Sequence, residues 1–116
     1  VTAAAAPDDI IKDLAIAHVL ARCLHVVADF GVADALGDGA LPPAELARRV
    51  GLDADALARM LRLLAAHGVF AEGTHGYSHT PASRLLRSDD PRSLRGLVRM
   101  RGLPVIWRGF TELEHA

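Results

Sequence analysis

The side chains able to do chemistry in this 116-residue chain are six histidines (His18, His25, His67, His75, His79, His115), one cysteine at position 23, and a near-even set of charges. Their spacing limits that chemistry. His75 and His79 lie four apart, but across a turn and a strand rather than on one helix face. No cysteine or acid joins them at ligand spacing, so metal binding is not expected. Cys23 has only His25 beside it and nothing to orient a base, which is the pattern of a small buried hydrophobe. No Ser-His-Asp set and no paired carboxylates can be assembled. Gly37-x-Gly39 follows no strand and is too short a signal for phosphate. The chain therefore offers no catalytic residue, no metal ligand set and no cofactor-binding loop of its own.

Arginine is the remaining reactive group, and it does not point to nucleic acid. The formal net charge is -1, which gives no bulk attraction to DNA, RNA or anionic lipid. Residues 43–80 balance Glu45, Asp53, Asp55 and Glu72 against Arg48, Arg49, Arg59 and Arg62. Arginines concentrate in the last third (Arg84, Arg87, Arg92, Arg95, Arg99, Arg101, Arg108), where Arg92, Arg95 and Arg99 share a helix face. That face is expected to be solvated or salt-bridged to another domain.

The elements that position these groups are mostly helical. Hydrophobic residues make up 51% of the chain and aromatics only 4%, so the core is aliphatic and few rings are available to stack on bases. The clearest pattern is Pro42 to Thr80. Pro43 suits the first position of a helix, and Leu46, Ala47 and Val50 share its apolar face. Gly51 fits the left-handed position after that helix. Asp53 can cap the next one, where Leu57, Met60, Leu61 and Leu64 form a stripe ending before Gly68. Val69–Glu72 and Tyr77–Thr80 then read as two strands around the turn Gly73-Thr74-His75-Gly76. The order is a winged helix-turn-helix, giving a mainly α fold with a small two-stranded wing and flanking helices.

Before it, residues 1–8 read as an unstructured lead. Residues 9–30 form a long helix whose apolar residues, among them Ile10, Ile11, Leu14, Val19, Leu20, Leu24 and Val27, occupy nearly every side. A helix apolar all round must be covered all round, and a domain this small cannot wrap it. These seven residues are therefore expected at the interface of a homodimer. A brief helix, Val32–Leu36, leads into the helix-turn-helix. After the wing come a short helical segment, Pro81–Arg87, and a helix from Pro91 to Arg101. A last helix starts near Pro104 and stops at Glu114-His115-Ala116 without a terminating residue, which suggests further sequence downstream. No basic leader precedes the alanines at the start, and the longest uncharged apolar stretch there, Leu14–Ala21, is too short to span a bilayer. With one unpaired cysteine the chain reads as soluble and cytoplasmic.

A winged helix invites a DNA-binding reading. Its second helix would enter the major groove by Asp53, Ala54, Asp55, Ala56 and Ala58, where two carboxylates would meet phosphate. The wing carries Glu72 and no lysine or arginine. A free-standing dimeric winged-helix transcriptional regulator is thus the alternative reading, one that the charges disfavour.

The whole order resembles a known family. The long apolar helix, LPPAELARRVGLDADALARMLRLLAAHGVFAEG, the wing ending YSHTPASRLL, and the trailing DDPRSLRGLVRM and VIWRGFTELEHA are similar to the N-terminal dimerisation domain of S-adenosylmethionine-dependent O-methyltransferases. The family modifies plant phenolics and bacterial natural products, and the resemblance runs from Ile10 to Ala116. It implies an intertwined homodimer through the first helix and a winged helix serving as scaffold. It also implies a C-terminal Rossmann-like domain, missing here or separate, that holds S-adenosylmethionine and a histidine base. The N-terminal domain would close over a small-molecule acceptor, with Met100, Trp107 and Phe110 as pocket-lining residues. On this reading residues 9–116 form the dimerisation domain, of which 91–116 lead to the absent catalytic domain, and no nucleic acid or membrane is a partner.

Overall fold

The computed structural model describes residues 6–113, so the alanine lead before Ala6, His115 and the expected unterminated end at Glu114–Ala116 lie outside the described residues. Helix α1 spans Pro7–Asp29. It opens two residues before the start expected at residue 9, because Pro7 takes a position that needs no N–H, and Asp8 and Asp9 then complement the positive end of the dipole. It ends where Gly31 turns left-handed at φ 69° and opens α2, Val32–Leu36.

The helix-turn-helix forms as its residues dictate. Helix α3 is Pro43–Val50, Gly51 is left-handed at φ 79°, and α4 is Ala54–Ala65. The Asp53 carboxylate caps α4 by accepting from the Ala56 N–H at 2.9 Å. Leu46 of α3 and Leu57, Leu61 and Leu64 of α4 are buried against each other and against Val27 and Ala28 of α1. All of α2's apolar side chains but Ala35 are buried beside them.

The wing is shorter than the sequence predicts. Strand β1 is Ala71–Gly73 and β2 is Gly76–Ser78, paired antiparallel with Glu72 opposite Tyr77. Val69 and Phe70 are not strand, because Gly68 (φ 85°) and Phe70 (φ 67°) both turn left-handed. For phenylalanine that backbone costs about 1–2 kcal/mol. The cost is offset by placing the ring at 1% exposure in the core, a burial of roughly 1.5–3 kcal/mol. On its other side Tyr77 exchanges two backbone bonds with Leu41, of 2.8 and 3.0 Å, tying the wing to the entry of α3.

Beyond the wing, α5 is Pro81–Arg84, held by a capping box between Thr80 and Ser83. It ends earlier than the Arg87 expected, and Arg87 instead pairs with Asp38 and Asp89 at 2.9 Å each. Helix α6 is Arg95–Arg101, four residues shorter at its start than the Pro91 opening expected. Asp90 competes for the backbone there: its carboxylate accepts from the Arg92 N–H at 2.7 Å and its carbonyl from Ser93 at 3.0 Å, making a turn. Helix α7, Pro104–Thr111, is the last element among the described residues, and no helix among them is long and apolar enough to cross a membrane.

Ser83 is fully buried, and its hydroxyl is satisfied by His79, which links the end of the wing to α2. The ring's Nε2–H donates to the Ala33 carbonyl at 3.0 Å, so Nδ1 is bare and accepts from the Ser83 hydroxyl at 2.8 Å. Burial lowers the pKa of His79 from 6.5, with the Arg87 and Arg84 charges adding to it and the Ala33 bond opposing it. The unfolded chain therefore takes the proton first. Stability should be complete above pH 6.5 and decline as the pH falls through that value. Chemical denaturation from about pH 8 to about pH 5 should show this slope, and His79→Gln should flatten it.

Gly76 gives a second expectation. Its φ is 113°, and a Cβ there would sit 2.2 Å from the Leu41 carbonyl oxygen. Gly76→Ala should destabilise the domain by at least ~2 kcal/mol in the same denaturation experiment, well above an ordinary loop substitution.

Candidate functional site

Two surfaces carry the candidate residues, and α1 contributes to both. Its N-terminal half is an arm: every residue from Ile11 to Val19 is exposed. Ile11 (67%) and Leu14 (60%) are the extreme cases, with Ile16 and Val19 also exposed. At 3.6 residues per turn these four spread over more than half the circumference, so no single flat surface covers them. The arm lengthens the molecule: the radius of gyration is 15.3 Å, against about 13 Å for a compact chain of this size.

Of the residues expected at the interface, Ile11, Leu14 and Val19 lie fully on this arm, and Ile10 and Leu20 at its half-buried ends. Leu24 already packs against the core. Val27 has to be corrected. At 1% exposure it is enclosed by its own domain and leaves nothing for a second chain to cover.

The second surface is the corner between α6 and α7, which sits on the C-terminal half of α1. Gly102 makes the close approach possible, since a Cβ there would fall 2.8 Å from the His25 ring. Arg22 Nη1 donates to the Gly102 carbonyl at 3.2 Å, and its guanidinium lies 5.1 Å from the Trp107 ring centroid. His25 meets the same ring edge-on at 5.8 Å, and Phe110 meets it at 6.3 Å. Trp107 is half-buried, with its Nε1–H donating to the Arg101 carbonyl at 3.1 Å, while Met100 and Phe110 are exposed. Leu97, Leu103, Val105 and Leu113 leave the rest of this corner apolar and exposed.

Between the two halves lies a cleft of about 270 Å³. Helix α1 and the residue after it supply Arg22, His25, Val26, Asp29 and Phe30, and the corner supplies Arg99, Gly102, Leu103 and Pro104. None of Met100, Trp107 and Phe110 lines it, although Trp107 holds two of the residues that do. Burial, and then the neighbouring Arg22 charge, lowers the pKa of His25, so its ring is neutral near pH 7. Its Nδ1 is enclosed and has no hydrogen-bond partner among the described residues.

The arginine face of α6 does something the spacing does not reveal. Arg95 Nε donates to the Ala28 carbonyl at 2.8 Å and Nη2 to the Asp29 carbonyl at 3.4 Å, capping the C-terminal end of α1. Its Nη1 donates to Ser88 Oγ at 2.9 Å and lies 3.8 Å from Asp34. Arg99 pairs with Asp29 at 3.0 Å. Arg95 is thus taken up by α1 of its own domain rather than by solvent or another domain, which corrects the sequence expectation for it, whereas Arg99 reaches the same helix from a side chain that stays exposed. Their partners on α1 lie 66 to 70 residues back in the chain, so no local pattern could announce them.

In the helix-turn-helix, Arg48, Arg49 and Arg59 are paired with acids of their own helices. Glu45 accepts from Arg48 at 2.6 Å and from Arg49 at 3.0 Å, and those bonds hold its pKa down at about 2. Arg59 pairs with Asp55 at 3.4 Å, and Glu72 stands exposed on the wing. His79 has both ring nitrogens committed to Ser83 and Ala33. No group of three or more potential metal ligands occurs among the described residues.

Comparison with known proteins agrees with this geometry. The family model for the O-methyltransferase dimerisation domain matches residues 12–89. The O-methyltransferase SfmM3 of Streptomyces lavendulae is 47% identical over 78 residues, 66% of this chain and 23% of that protein. The crystal structure of LaPhzM superposes with a TM-score of 0.87 at 33% identity, covering 96% of this chain and 33% of the other. CalO1, a methyltransferase of calicheamicin biosynthesis solved with S-adenosylhomocysteine bound, superposes with a TM-score of 0.77 at 40% identity, over 84% and 29% of the two chains. The chain thus spans a third or less of each of these three proteins. The DNA-binding regulator finds no support among these relatives.

Arg95 is the residue whose loss should be felt most at this corner. Arg95→Met keeps the aliphatic stem but leaves the Ala28 and Asp29 carbonyls without their charged donor, at a cost of about 1.5–3 kcal/mol. Arg92→Met, on the exposed turn before the same helix, should stay within about 0.5 kcal/mol of the parent chain in urea denaturation.

Proposed function

The chain belongs to the O-methyltransferase dimerisation-domain family, and from that premise we propose that it is the assembly and acceptor-lid module of a small-molecule, natural-product O-methyltransferase. The carrying observation is the exposed arm of α1, a helix apolar on several sides with no core of its own from Ile11 to Val19. A second copy of the chain supplies the cover, through Ile10, Ile11, Leu14, Val19 and Leu20, with Leu24 at the margin. A two-fold arrangement satisfies both copies at once.

Methyl transfer belongs to the parent enzyme. Among the described residues the only sheet is the two-stranded wing, and no strand, glycine turn and helix follow one another to cradle a methyl donor. We assign S-adenosylmethionine and the histidine base to a Rossmann-like domain beyond this chain. Residues 9–116 form the dimerisation domain, with 9–30 as the dimer helix, 43–80 the winged helix and 91–116 the approach to the catalytic domain. Met100, Trp107 and Phe110 stand on that approach and line the acceptor pocket as its apolar wall. The setting is the reducing cytoplasm, in keeping with the unpaired, buried Cys23.

Sedimentation tests the assembly directly. The chain should run as a dimer at tens of micromolar, and Leu14→Glu should weaken association by at least ~100-fold. Burying one leucine is worth about 1.5–3 kcal/mol and the two-fold axis counts it twice. Because Leu14 touches no core, the variant should keep its helical circular dichroism outside the arm. A compact monomer of the unmodified chain at those concentrations overturns the proposal.

A further inference from the structure

We propose that the cleft between α1 and the α6–α7 corner binds a small planar carboxylate, of the class of a one-ring aromatic acid. The proposal goes beyond the assembly role and is measured on this chain alone, so its failure and the failure of that role are separable.

Size comes first. About 270 Å³ lies just under the usual range of small-molecule pockets, which suits one ring with a small substituent. Charge comes second. Arg22 and Arg99 face the cleft with Asp29 as the one carboxylate, and His25 is neutral, so the lining carries a net charge of about +1. A monoanion balances that charge; a phosphate dianion overshoots it.

Arg22 is the better placed of the two cations. One nitrogen is fixed on the Gly102 carbonyl and the guanidinium plane is steadied by the Trp107 ring, while its remaining N–H groups have no partner among the described residues. A fork held in place from two sides loses little freedom when it takes a carboxylate. Arg99 has one nitrogen on Asp29 and keeps donors to spare. The remaining wall is apolar: Phe30 and Leu103 are both exposed, at 44% and 47%, and flank the charged end as a seat for a ring. An exposed aromatic beside a prefixed guanidinium is a pairing that an amphiphilic anion satisfies and that water does not.

Trp107 is the chain's only tryptophan and touches both Arg22 and His25, so its fluorescence reports on the cleft. Titration with benzoate should give a saturable change. Benzamide, the same shape without the charge, should bind at least about tenfold more weakly. Arg22→Gln should lose at least about tenfold for benzoate and leave benzamide unchanged, with Arg92→Gln behaving as the parent chain. Leu103→Glu places a carboxylate at the mouth without disturbing a buried residue and should abolish benzoate binding. No saturable change, equal binding of benzoate and benzamide, or an Arg22→Gln chain that binds benzoate as well as the parent overturns the proposal.

Discussion

One constraint runs through the molecule: α1 is 23 residues long, and only its C-terminal part has a core to rest on. From Cys23 to Ala28 the helix is gripped by α2, α4 and α6, while from Ile11 to Val19 it meets only solvent. An isolated helical stretch of that length is marginal in water even with favourable residues. This one has apolar side chains on several sides, so its stability must come from packing that its own domain does not supply. Everything else about the fold, including the neutral winged helix, can be understood as a mount for that arm.

The mount is stiff where it meets α1. Arg95 gives the Ala28 carbonyl, which also accepts from the Gly31 N–H, and the Asp29 carbonyl a charged donor, while also reaching Ser88 and Asp34. Arg99 adds a pair to Asp29, and Gly102 lets the following corner press onto His25. The direction of α7, and with it the Trp107 and Phe110 rings, is therefore set by the same end of α1 that anchors the arm. On the proposed function, assembly surface and pocket wall share one element.

How much of this the sequence announces depends on the distance over which each signal acts. Local signals read well. Gly51 as a left-handed terminator, Asp53 as a cap and Val32–Leu36 as a helix all stand where the residues place them. The apolar surround of α1 also pointed correctly to a helix its own domain cannot cover. Signals that depend on packing read poorly. Phe70 adopts a left-handed backbone because the core claims its ring, and nothing in Val69–Glu72 forewarns of it. Val27 looks like its apolar neighbours on the arm yet faces the core, since burial depends on where α4 crosses. The grip of Arg95 and the cleft around Arg22 and His25 join positions 67 to 80 residues apart, beyond any periodicity.

Hydrogen exchange along α1 at several protein concentrations puts the central claim to the most direct test. If a second copy shelters the arm, amides 11–19 should be protected at high concentration and lose that protection on dilution, while those of α4 keep theirs throughout. Protection of the arm that is the same at every concentration would contradict the account.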